Sequence, residues 1–243
     1  MDEATRRLLR ARARPTRRAA MRQRWDDLFF LHWEHDAADL QARLPAGLTV
    51  DRFEGRAHLG VVGFRMNAVR PAGLPALPWL SYFRELNVRT YVRDADGEPG
   101  VWFFSLDCDR APAVALARAW FGLPYEHATM GFGPGLALSC RRRGADATAR
   151  YAWSAATPPA PAEPGSLEFH LAERYAFFVR RDGRLLRGQV HHEPYRLSRA
   201  DVAEWAEGPL RWDGFDVGGR PPALAHCCAG VAVEAFALTP AHA

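Results

Sequence analysis

The chain has 243 residues, 48% of them hydrophobic and 12% aromatic, which is enough for a sizeable buried core in one domain. All 32 Lys+Arg residues are arginine, so chemistry that needs a lysine Schiff base is excluded. The formal net charge is +4, but residues 1–24 alone hold nine arginines against two acidic residues, which leaves the rest of the chain slightly negative. A basic nucleic-acid groove on the folded body is therefore not expected.

The arginine-rich segment over residues 1–24, the basic arm, is expected to be partly helical or partly disordered. It could instead contact phosphates or an acidic membrane surface. No apolar run follows it as in a signal peptide, and no stretch approaches the ~18 apolar residues of a spanning helix. The sequence therefore predicts a cytoplasmic protein in which the basic arm precedes a single domain, residues 25–243.

The domain is predicted as many short antiparallel strands interrupted by a few short helices. Alternating apolar and polar residues indicate the strands, whereas capping residues, prolines and glycines mark the helix ends. In chain order the predicted elements are a helix over 37–44, a hairpin of 48–53 with 57–64, a proline-rich strap across the core over 70–79, a hairpin of 82–93 with 101–108, a helix over 112–121, a hairpin of 136–142 with 150–153, a surface connection over 155–165, a helix over 167–174, a hairpin of 175–179 with 185–192, a helix opened by Ser198 to Asp201, and a strand over 230–238. This order indicates an α+β fold on a mainly antiparallel curved sheet or barrel.

The most informative motif lies in the predicted strand over residues 82–93. Glu85, Asn87, Arg89 and Tyr91 occupy alternate positions, so their side chains project from one face of the strand. On a solvent-facing strand this would be an ordinary surface pattern, with a Glu–Arg pair of little energetic value. On the inner side of a curved sheet, the same residues would form a polar site on a rigid element.

Four segments resemble those of the YqjF-like bacterial family of unknown function, and the resemblance covers roughly residues 25–195. The segments are Glu85 to Val92, Gly100 to Asp107, Leu123 to Tyr125 and Leu167 to Tyr175. That family in turn resembles acetoacetate decarboxylase, whose fold is a cone-like β-barrel with a central polar cavity. The resemblance implies that the face carrying Glu85 points inward and lines this cavity.

The resemblance also implies that this chain does not share the decarboxylase mechanism. In that enzyme, the helix after the strand pair leads into a Gly-x-Pro-Lys-Lys turn, and the first lysine forms the Schiff base. The corresponding layout here is Gly122-Leu-Pro-Tyr-Glu126, with tyrosine and glutamate in the lysine places. Decarboxylation through a lysine imine is therefore not available.

The residue types predict a site for a small anionic or carbonyl-bearing molecule, without a cofactor. Glu85 is the candidate general base, and Arg89 is the candidate binding group for a carboxylate or another oxyanion. The other candidate substrate-binding residues are Asn87, Tyr91, Arg118, Tyr125, Glu173 and Arg174. The protein could be a binding module or a lysine-independent lyase, hydratase or isomerase, and the same polar network could also simply brace the barrel interior.

Other chemistry-bearing residues leave alternatives open. His191 or His192 could titrate near neutral pH, although a structural histidine is the more common case. The adjacent residues His226, Cys227 and Cys228 lack the spacing of a metal site, so no metal is predicted. The alternative function is an interaction protein that recruits nucleic acid or an acidic surface through the basic arm. The sequence does not predict the oligomeric state.

Overall fold

The computed structural model describes residues 1–241, without the side chains of residues 116, 117, 119 and 120. The helices are α1 (Glu3–Ala11), α2 (Ala37–Ala42), α3 (Ala111–Phe121), α4 (Leu167–Ala172) and α5 (Gly208–Trp212). The strands are β1 (Met21–His35), β2 (Thr49–Val50), β3 (Ala57–Pro71), β4 (Phe83–Arg93), β5 (Pro99–Cys108), β6 (Tyr125–Gly133), β7 (Ala137–Arg142), β8 (Ala149–Ala155), β9 (Ala160–Pro161), β10 (Ala176–Arg181), β11 (Arg184–His191), β12 (Arg196–Glu204), β13 (Leu224–Ala235) and β14 (Thr239–Pro240). The predicted mainly antiparallel sheet with a few short helices is confirmed.

Five strands form a continuous antiparallel sheet in the order β13-β1-β3-β4-β5. Both outer strands of this central sheet then pair with two different neighbours. β5 pairs with β10 at its start and with β6 at its end, while β13 pairs with β12 and β11. The strand pairings therefore close on themselves by two routes, one through β10 and β11 and the other through β6, β7, β8 and β12.

The two faces of the central sheet bury two separate apolar cores, because side chains alternate along each strand. We call these the first core and the second core. The first core contains Phe29, Trp33, Leu59, Leu86, Val88, Leu138, Tyr151, Trp153, Leu210 and Phe215 among others. The second core contains Leu28, Phe30, Val62, Phe64, Leu106, Tyr125, Tyr195, Leu197 and Val231 among others. Every candidate functional residue on β4 thus faces one core or the other rather than bulk solvent.

The same alternation separates the two adjacent cysteines of β13. Cys227 belongs to the first core and Cys228 to the second, so their thiols point to opposite faces of the sheet. Burial raises the pKa of both thiols, which keeps them protonated at neutral pH. Within residues 1–241 no group of three His, Cys, Asp or Glu side chains is placed to hold a metal ion.

A fully paired arginine connects β5, β7 and the segment after α5. The Arg142 guanidinium donates to both carboxylate oxygens of Asp107, at 2.8 and 2.9 Å, and to Asp213 at 2.7 Å. Ser105 accepts from Arg142 at 2.6 Å and donates to Asp213. Because these groups satisfy one another, this buried charge network braces the strands and offers few free hydrogen-bonding groups to a ligand.

The helix predicted to open at Ser198 is wrong, because the segment forms β12. Ser198 pairs with Cys227 on β13, and Val202 pairs with Trp153 on β8. The capping pattern is a local signal worth about 1 kcal/mol, whereas pairing with strands on either side satisfies many backbone groups. Tertiary pairing therefore overrides the local preference here.

The hairpin predicted for residues 48–53 and 57–64 is wrong in its pairing. Phe53 and Arg56 bridge across the predicted turn, but β2 pairs with the end of β4. β3 lies between β1 and β4 along most of its length. Long-range pairing on both edges of β3 thus replaces the local hairpin.

The proline-rich segment over residues 70–79 does not form the predicted strap over the core. Leu74, Leu77 and Trp79 are 58%, 43% and 61% exposed. Consecutive tight turns, in which the Leu74 and Leu80 amides donate to carbonyls three residues earlier, keep the segment compact beyond the end of β3. Among residues 1–241, no helix is long and apolar enough to cross a membrane.

The packing of the first core against β3 predicts the effect of adding one methyl group. A Cβ at Gly63 would lie 2.4 Å from a ring carbon of Phe29, which is buried against Tyr151 and Trp153 and cannot move aside. We expect Gly63→Ala to lower the free energy of unfolding by about 1–3 kcal/mol, measured by urea denaturation. Gly133→Ala is the control, because its Cβ would have an ordinary 3.6 Å contact. Equal stability of the two variants would contradict this packing.

Candidate functional site

The four candidate residues of β4 lie on the face of the central sheet that carries the second core. Glu85 and Asn87 are 3% exposed and Tyr91 is fully buried, while Arg89 is half-buried. β4 is paired on both edges, with β3 and β5, so its backbone is held rigidly. The solvent-facing interpretation of this strand is therefore wrong.

Glu85 is a buried carboxyl with two hydrogen-bond donors. The Tyr125 hydroxyl donates to its Oε2 at 2.6 Å, and the Asn87 amide donates to its Oε1 at 3.4 Å. Burial raises the pKa of Glu85 to about 7, because loss of hydration outweighs these hydrogen bonds and the nearby charge of Arg89. Both protonation states are consequently populated near neutral pH, as proton transfer requires.

Tyr125 acts as a fixed hydrogen-bond donor to this carboxyl. Burial, together with the negative charge of Glu85, raises the pKa of the Tyr125 hydroxyl well above its ordinary value. The phenol therefore stays protonated at neutral pH and continues to donate. It is the first residue of β6 and follows Gly122, Leu123 and Pro124 after the end of α3.

Arg89 carries unused hydrogen-bonding capacity. Its Nε and Nη2 atoms are buried and have no hydrogen-bond partner in the described part of the chain. The guanidinium carbon lies 5.8 Å from the centre of the Phe30 ring and 5.7 Å from that of Tyr91. Since buried donors are normally paired, Nε and Nη2 are free to donate to an additional acceptor.

Gly60 leaves the space that this arrangement needs. It is the cross-strand neighbour of Arg89 on β3. A Cβ at this position would lie 3.0 Å from the Tyr91 hydroxyl and 3.4 Å from Arg89 Cγ and from His32 Cδ2. The side chains of Tyr91, Arg89 and His32 thus converge at Gly60, which has no side chain of its own.

Tyr91 is held by a histidine and flanked by two guanidinium groups. The His32 Nε2 atom and the Tyr91 hydroxyl are 2.6 Å apart. Burial, and then the charge of Arg89, keeps the pKa of His32 well below its ordinary value, so the imidazole is neutral. The Arg174 guanidinium carbon lies 5.2 Å from the centre of the Tyr91 ring. Tyr91 therefore contacts both arginines.

Arg174 is already paired with a carboxylate of the protein. Its Nη1 donates to Asp51 at 2.7 Å and its Nε donates to the His170 carbonyl at 2.6 Å. Burial alone would raise the pKa of Asp51, but the charge of Arg174, with those of His170 and Arg93, lowers it. Because Asp51 neutralises Arg174, this arginine is less available to an anionic ligand than Arg89.

Glu173 joins the second core to the basic arm. Its completely buried carboxylate accepts hydrogen bonds from the Tyr175 hydroxyl and from the Tyr195 amide at 3.2 Å. The Arg12 Nε atom lies 3.1 Å from the same carboxylate, and the Arg12 carbonyl is 3.1 Å from His191 Nδ1. Glu173 therefore anchors the arm. These contacts within the protein explain its buried position without a role in ligand binding.

The basic arm is ordered against the domain in this structure. α1 supplies the expected helical part, and its Leu8 is 2% exposed. Arg14 pairs with Glu234 at 2.6 Å, and Arg17 donates to Gln189 at 2.7 Å. β1 begins at Met21, so the last residues assigned to the arm belong to the central sheet.

Arg118 lies outside this cluster. Its Nη2 pairs with Glu126 at 2.9 Å, and half of each side chain is exposed, at 50% and 45%. Its Nε donates to the Tyr125 carbonyl rather than to any group on β4. A helical arginine at the edge of a sheet more readily reaches solvent than the interior.

Sequence reasoning missed several residues that complete the cluster. His32 and Phe30 lie on β1, a 15-residue strand that was not predicted. Had that strand been recognised, the two-residue period would have placed both side chains on one face. Asp51 and Tyr195 lie outside regular elements at the end of β2 and before β12, and no sequence pattern links them to β4.

The fold is that of acetoacetate decarboxylase-like proteins. Comparison with solved structures gives a TM-score of 0.59 with the acetoacetate decarboxylase from Legionella pneumophila, at 14% identity over 94% of this chain and 92% of that one. The enduracididine biosynthesis enzyme MppR complexed with pyruvate gives 0.60, at 11% identity over 93% of this chain and 91% of that one. An acetoacetate decarboxylase-like enzyme from Sphingomonas wittichii also gives 0.60, at 15% identity over 92% and 94%.

Sequence comparison then identifies the family. The DUF2071 family, described as an uncharacterized conserved protein, matches residues 22–232. The uncharacterized protein YqjF of Bacillus subtilis is 37% identical over 186 residues, which are 75% of this chain and 76% of YqjF. The chain belongs to the DUF2071 family, and its resemblance to YqjF-like proteins is confirmed.

The raised pKa of Glu85 predicts a pH-dependent contribution to stability. The folded state binds this proton more tightly than the unfolded state, so the contribution is present below about pH 4.5 and is lost as the pH rises through about 7. We expect the stability of the wild type, relative to Glu85→Gln, to fall by about 3 kcal/mol across this window. Urea denaturation between pH 4.5 and 8 measures it. A pH-independent difference would mean that the Glu85 pKa is not raised.

The contact between the arm and Glu173 predicts a second stability effect. Arg12→Met removes the cationic partner of a completely buried carboxylate, and we expect the free energy of unfolding to fall by about 1–3 kcal/mol. The loss should shrink in the background of Glu173→Gln, where no buried charge needs a partner. Arg10→Met is the control, because Arg10 pairs with an exposed glutamate. Equal losses from the two arginines would contradict the anchoring role.

Proposed function

We propose that this protein binds a small organic acid inside the part of the sheet that surrounds the second core, and that Glu85 transfers a proton to or from it. In this proposal the closed strand circuit is the cone-like barrel of the fold, and residues 25–243 form one domain around it. The observation that carries the proposal is the buried guanidinium of Arg89, two of whose nitrogen atoms have no partner in the described residues.

The electrostatics favour an anionic ligand at Arg89. A buried cation without a paired carboxylate is unstable unless another group offsets its lost hydration. Glu85 carries a full negative charge only above pH 7 or so, and its two oxygens already accept from Tyr125 and Asn87. A ligand carboxylate would supply both a countercharge and two acceptors in the planar geometry that arginine prefers.

The aromatic surroundings favour an organic rather than an inorganic anion. Phe30 and Tyr91 pack on the guanidinium, and the second core continues beyond them. Such walls stabilise the carbon skeleton of a ligand but offer few hydrogen bonds to a phosphate or sulfate. MppR, a protein of the same fold, has been solved in complex with pyruvate, a small 2-oxo acid.

The chemistry we propose is proton transfer next to a carbonyl, as in lysine-independent lyases, hydratases and isomerases. The Glu85 carboxylate would accept a proton from the carbon beside the carbonyl, and the C–H electron pair would form the enolate. Arg89, while it binds the adjacent ligand carboxylate, would stabilise the enolate oxygen through its positive charge. The reverse transfer returns the proton to carbon. No lysine is needed at any step, in agreement with the composition of the chain.

The alternative, recruitment of nucleic acid or an acidic surface by the basic arm, has less support. Arg12, Arg14 and Arg17 are bound to Glu173, Glu234 and Gln189 of the same chain. Arginines engaged in this way would have to leave these partners before they could contact phosphates. The family likeness and the fold neighbours add nothing in favour of this alternative.

Ligand binding tests the role of Arg89. We expect pyruvate, and longer 2-oxo acids, to raise the melting temperature of the wild type, and Arg89→Met to abolish this response. Arg84→Met is the matched control, because Arg84 lies on the same strand but pairs with Asp109 at 2.5 Å. Protection that survives in Arg89→Met, or absence of any response from the wild type to 2-oxo acids, would refute the proposed site.

Exchange of carbon-bound protons separates an enzyme from a binding module. In deuterated buffer near pH 7.5, the wild type should speed deuterium incorporation into the methyl group of pyruvate by at least about tenfold, observed by NMR. Glu85→Gln should retain binding but lose this exchange. Binding without exchange in the wild type would leave a binding module as the function.

A further inference from the structure

A second group of unsatisfied polar atoms lies at another part of the second core, around His192. This histidine is 2% exposed. Its Nδ1 atom lies 2.7 Å from the Glu193 carbonyl, which can only accept, so Nδ1 carries the hydrogen. Burial lowers the pKa of His192 to about 4, so the ring is neutral and Nε2 bears a free lone pair. Within the described residues this buried Nε2 atom has no partner.

The complementary group lies beside it. Trp25 packs against His192 with ring centres 5.8 Å apart. The Trp25 Nε1 atom is buried, and no residue of the described chain accepts its hydrogen. An unpaired acceptor and an unpaired donor thus lie on two neighbouring rings, where leaving both unsatisfied would be unfavourable.

Aromatic rings form the rest of this region. The His192 ring stacks on Tyr175 at 4.7 Å and packs on Tyr195 at 4.4 Å, and the Trp25 ring lies 5.4 Å from Phe64. None of these rings satisfies the two free nitrogen atoms. The surroundings therefore suit an uncharged polar group on an apolar or aromatic body.

The same aromatic side chains connect this region to the site at Arg89. Phe64 is the cross-strand neighbour of Glu85. Tyr195 packs on Phe30 with ring centres 5.3 Å apart, and Phe30 packs on the Arg89 guanidinium. Aromatic side chains thus connect the His192 and Trp25 pair with Arg89, and three of them, Phe30, Phe64 and Tyr195, belong to the second core.

We propose that His192 and Trp25 form a subsite for a hydroxyl group, and that the ligand is an organic acid with an aromatic or apolar body and a hydroxyl remote from its carboxylate. A hydroxyl both donates and accepts, so one such group satisfies the His192 lone pair and the Trp25 N–H together. A second carboxylate is disfavoured there, because the lone pair of a neutral imidazole repels it. This inference deepens the proposed function and rests on it for the position of the carboxylate.

A neutral probe tests the subsite independently of Arg89. Phenol carries the hydroxyl on an aromatic body, and toluene has the same shape without it. We expect millimolar phenol to shift the Trp25 indole N–H resonance of the wild type, assigned by its loss in Trp25→Phe, and toluene to leave it in place. His192→Phe should remove the response to phenol. If phenol has no effect on this resonance, or toluene has the same effect, the proposed hydroxyl subsite is refuted. This conclusion does not depend on whether a carboxylate binds at Arg89.

Matched acids then test the link between the two sites. We expect 4-hydroxyphenylacetate and 4-hydroxyphenylpyruvate to bind about tenfold more tightly than phenylacetate and phenylpyruvate, as one well-placed hydroxyl allows. Trp25→Phe should remove this preference. Trp153→Phe should keep it, because Trp153 also has a buried, unpartnered Nε1 but lies in the first core.

The outcomes of this experiment separate the two proposals. Equal affinity within both pairs of acids would overturn the hydroxyl subsite, while loss of all binding in Arg89→Met would still support the proposed function. Conversely, a preference for the hydroxyl that survives in Arg89→Met would support the subsite and refute the assignment of the carboxylate. The comparisons between acids with and without the hydroxyl use the wild type alone, so they do not depend on whether any variant folds.

Discussion

The constraint on which the site depends is the pairing of β4 on both edges. β3 and β5 fix its register, so a strand with alternating apolar and polar residues must bury both faces. Leu86 and Val88 enter the first core, and Glu85 and Arg89 are forced toward the second. A shift of one residue would exchange these sets, and four polar groups would then enter the first core. The rigid sheet thereby holds a carboxyl and a guanidinium where neither is fully hydrated, and this lost hydration raises the pKa of Glu85.

Two half-buried arginines, Arg142 and Arg89, have different surroundings. Arg142 is paired with Asp107 and Asp213, and its pKa is raised because these carboxylates outweigh the effect of burial. Its charge is therefore satisfied within the protein. Arg89 faces aromatic rings instead, and the neighbouring Glu85 is protonated part of the time at neutral pH. If Arg89 only braced the sheet, we would expect a paired carboxylate beside it, as Asp107 and Asp213 lie beside Arg142.

Short-range patterns in the sequence correctly predicted local elements. They did not predict strands whose pairing partners lie far along the chain. The hairpin of β4 and β5, the helices α2 to α4 and the shared face of Glu85 to Tyr91 follow from alternation, capping and turn residues. The pairing of β2, the strand β12 and the long strand β1 depend on partners far along the chain, so local propensity misassigned or missed them. The same limit applies to the site. Nothing local in the sequence could indicate that Arg174 is neutralised by Asp51, or that His32 reaches Tyr91.

The lack of lysine changes how a site in this fold can work. A lysine imine stabilises negative charge on carbon by covalent attachment, so the protein then needs little additional electrostatic stabilisation. Without it, the charge that develops on a carbonyl oxygen must be stabilised by groups already in position. Tyr125 occupies the place that the resemblance assigns to the first lysine and donates to Glu85, and Arg89 has no paired carboxylate among residues 1–241. In the function we propose, stabilisation of this charge therefore depends on preorganised groups of β4 and β6 instead of a nucleophile on the turn. Such a site depends on exclusion of water, and the burial of Glu85 and Tyr125 beside the second core contributes to it.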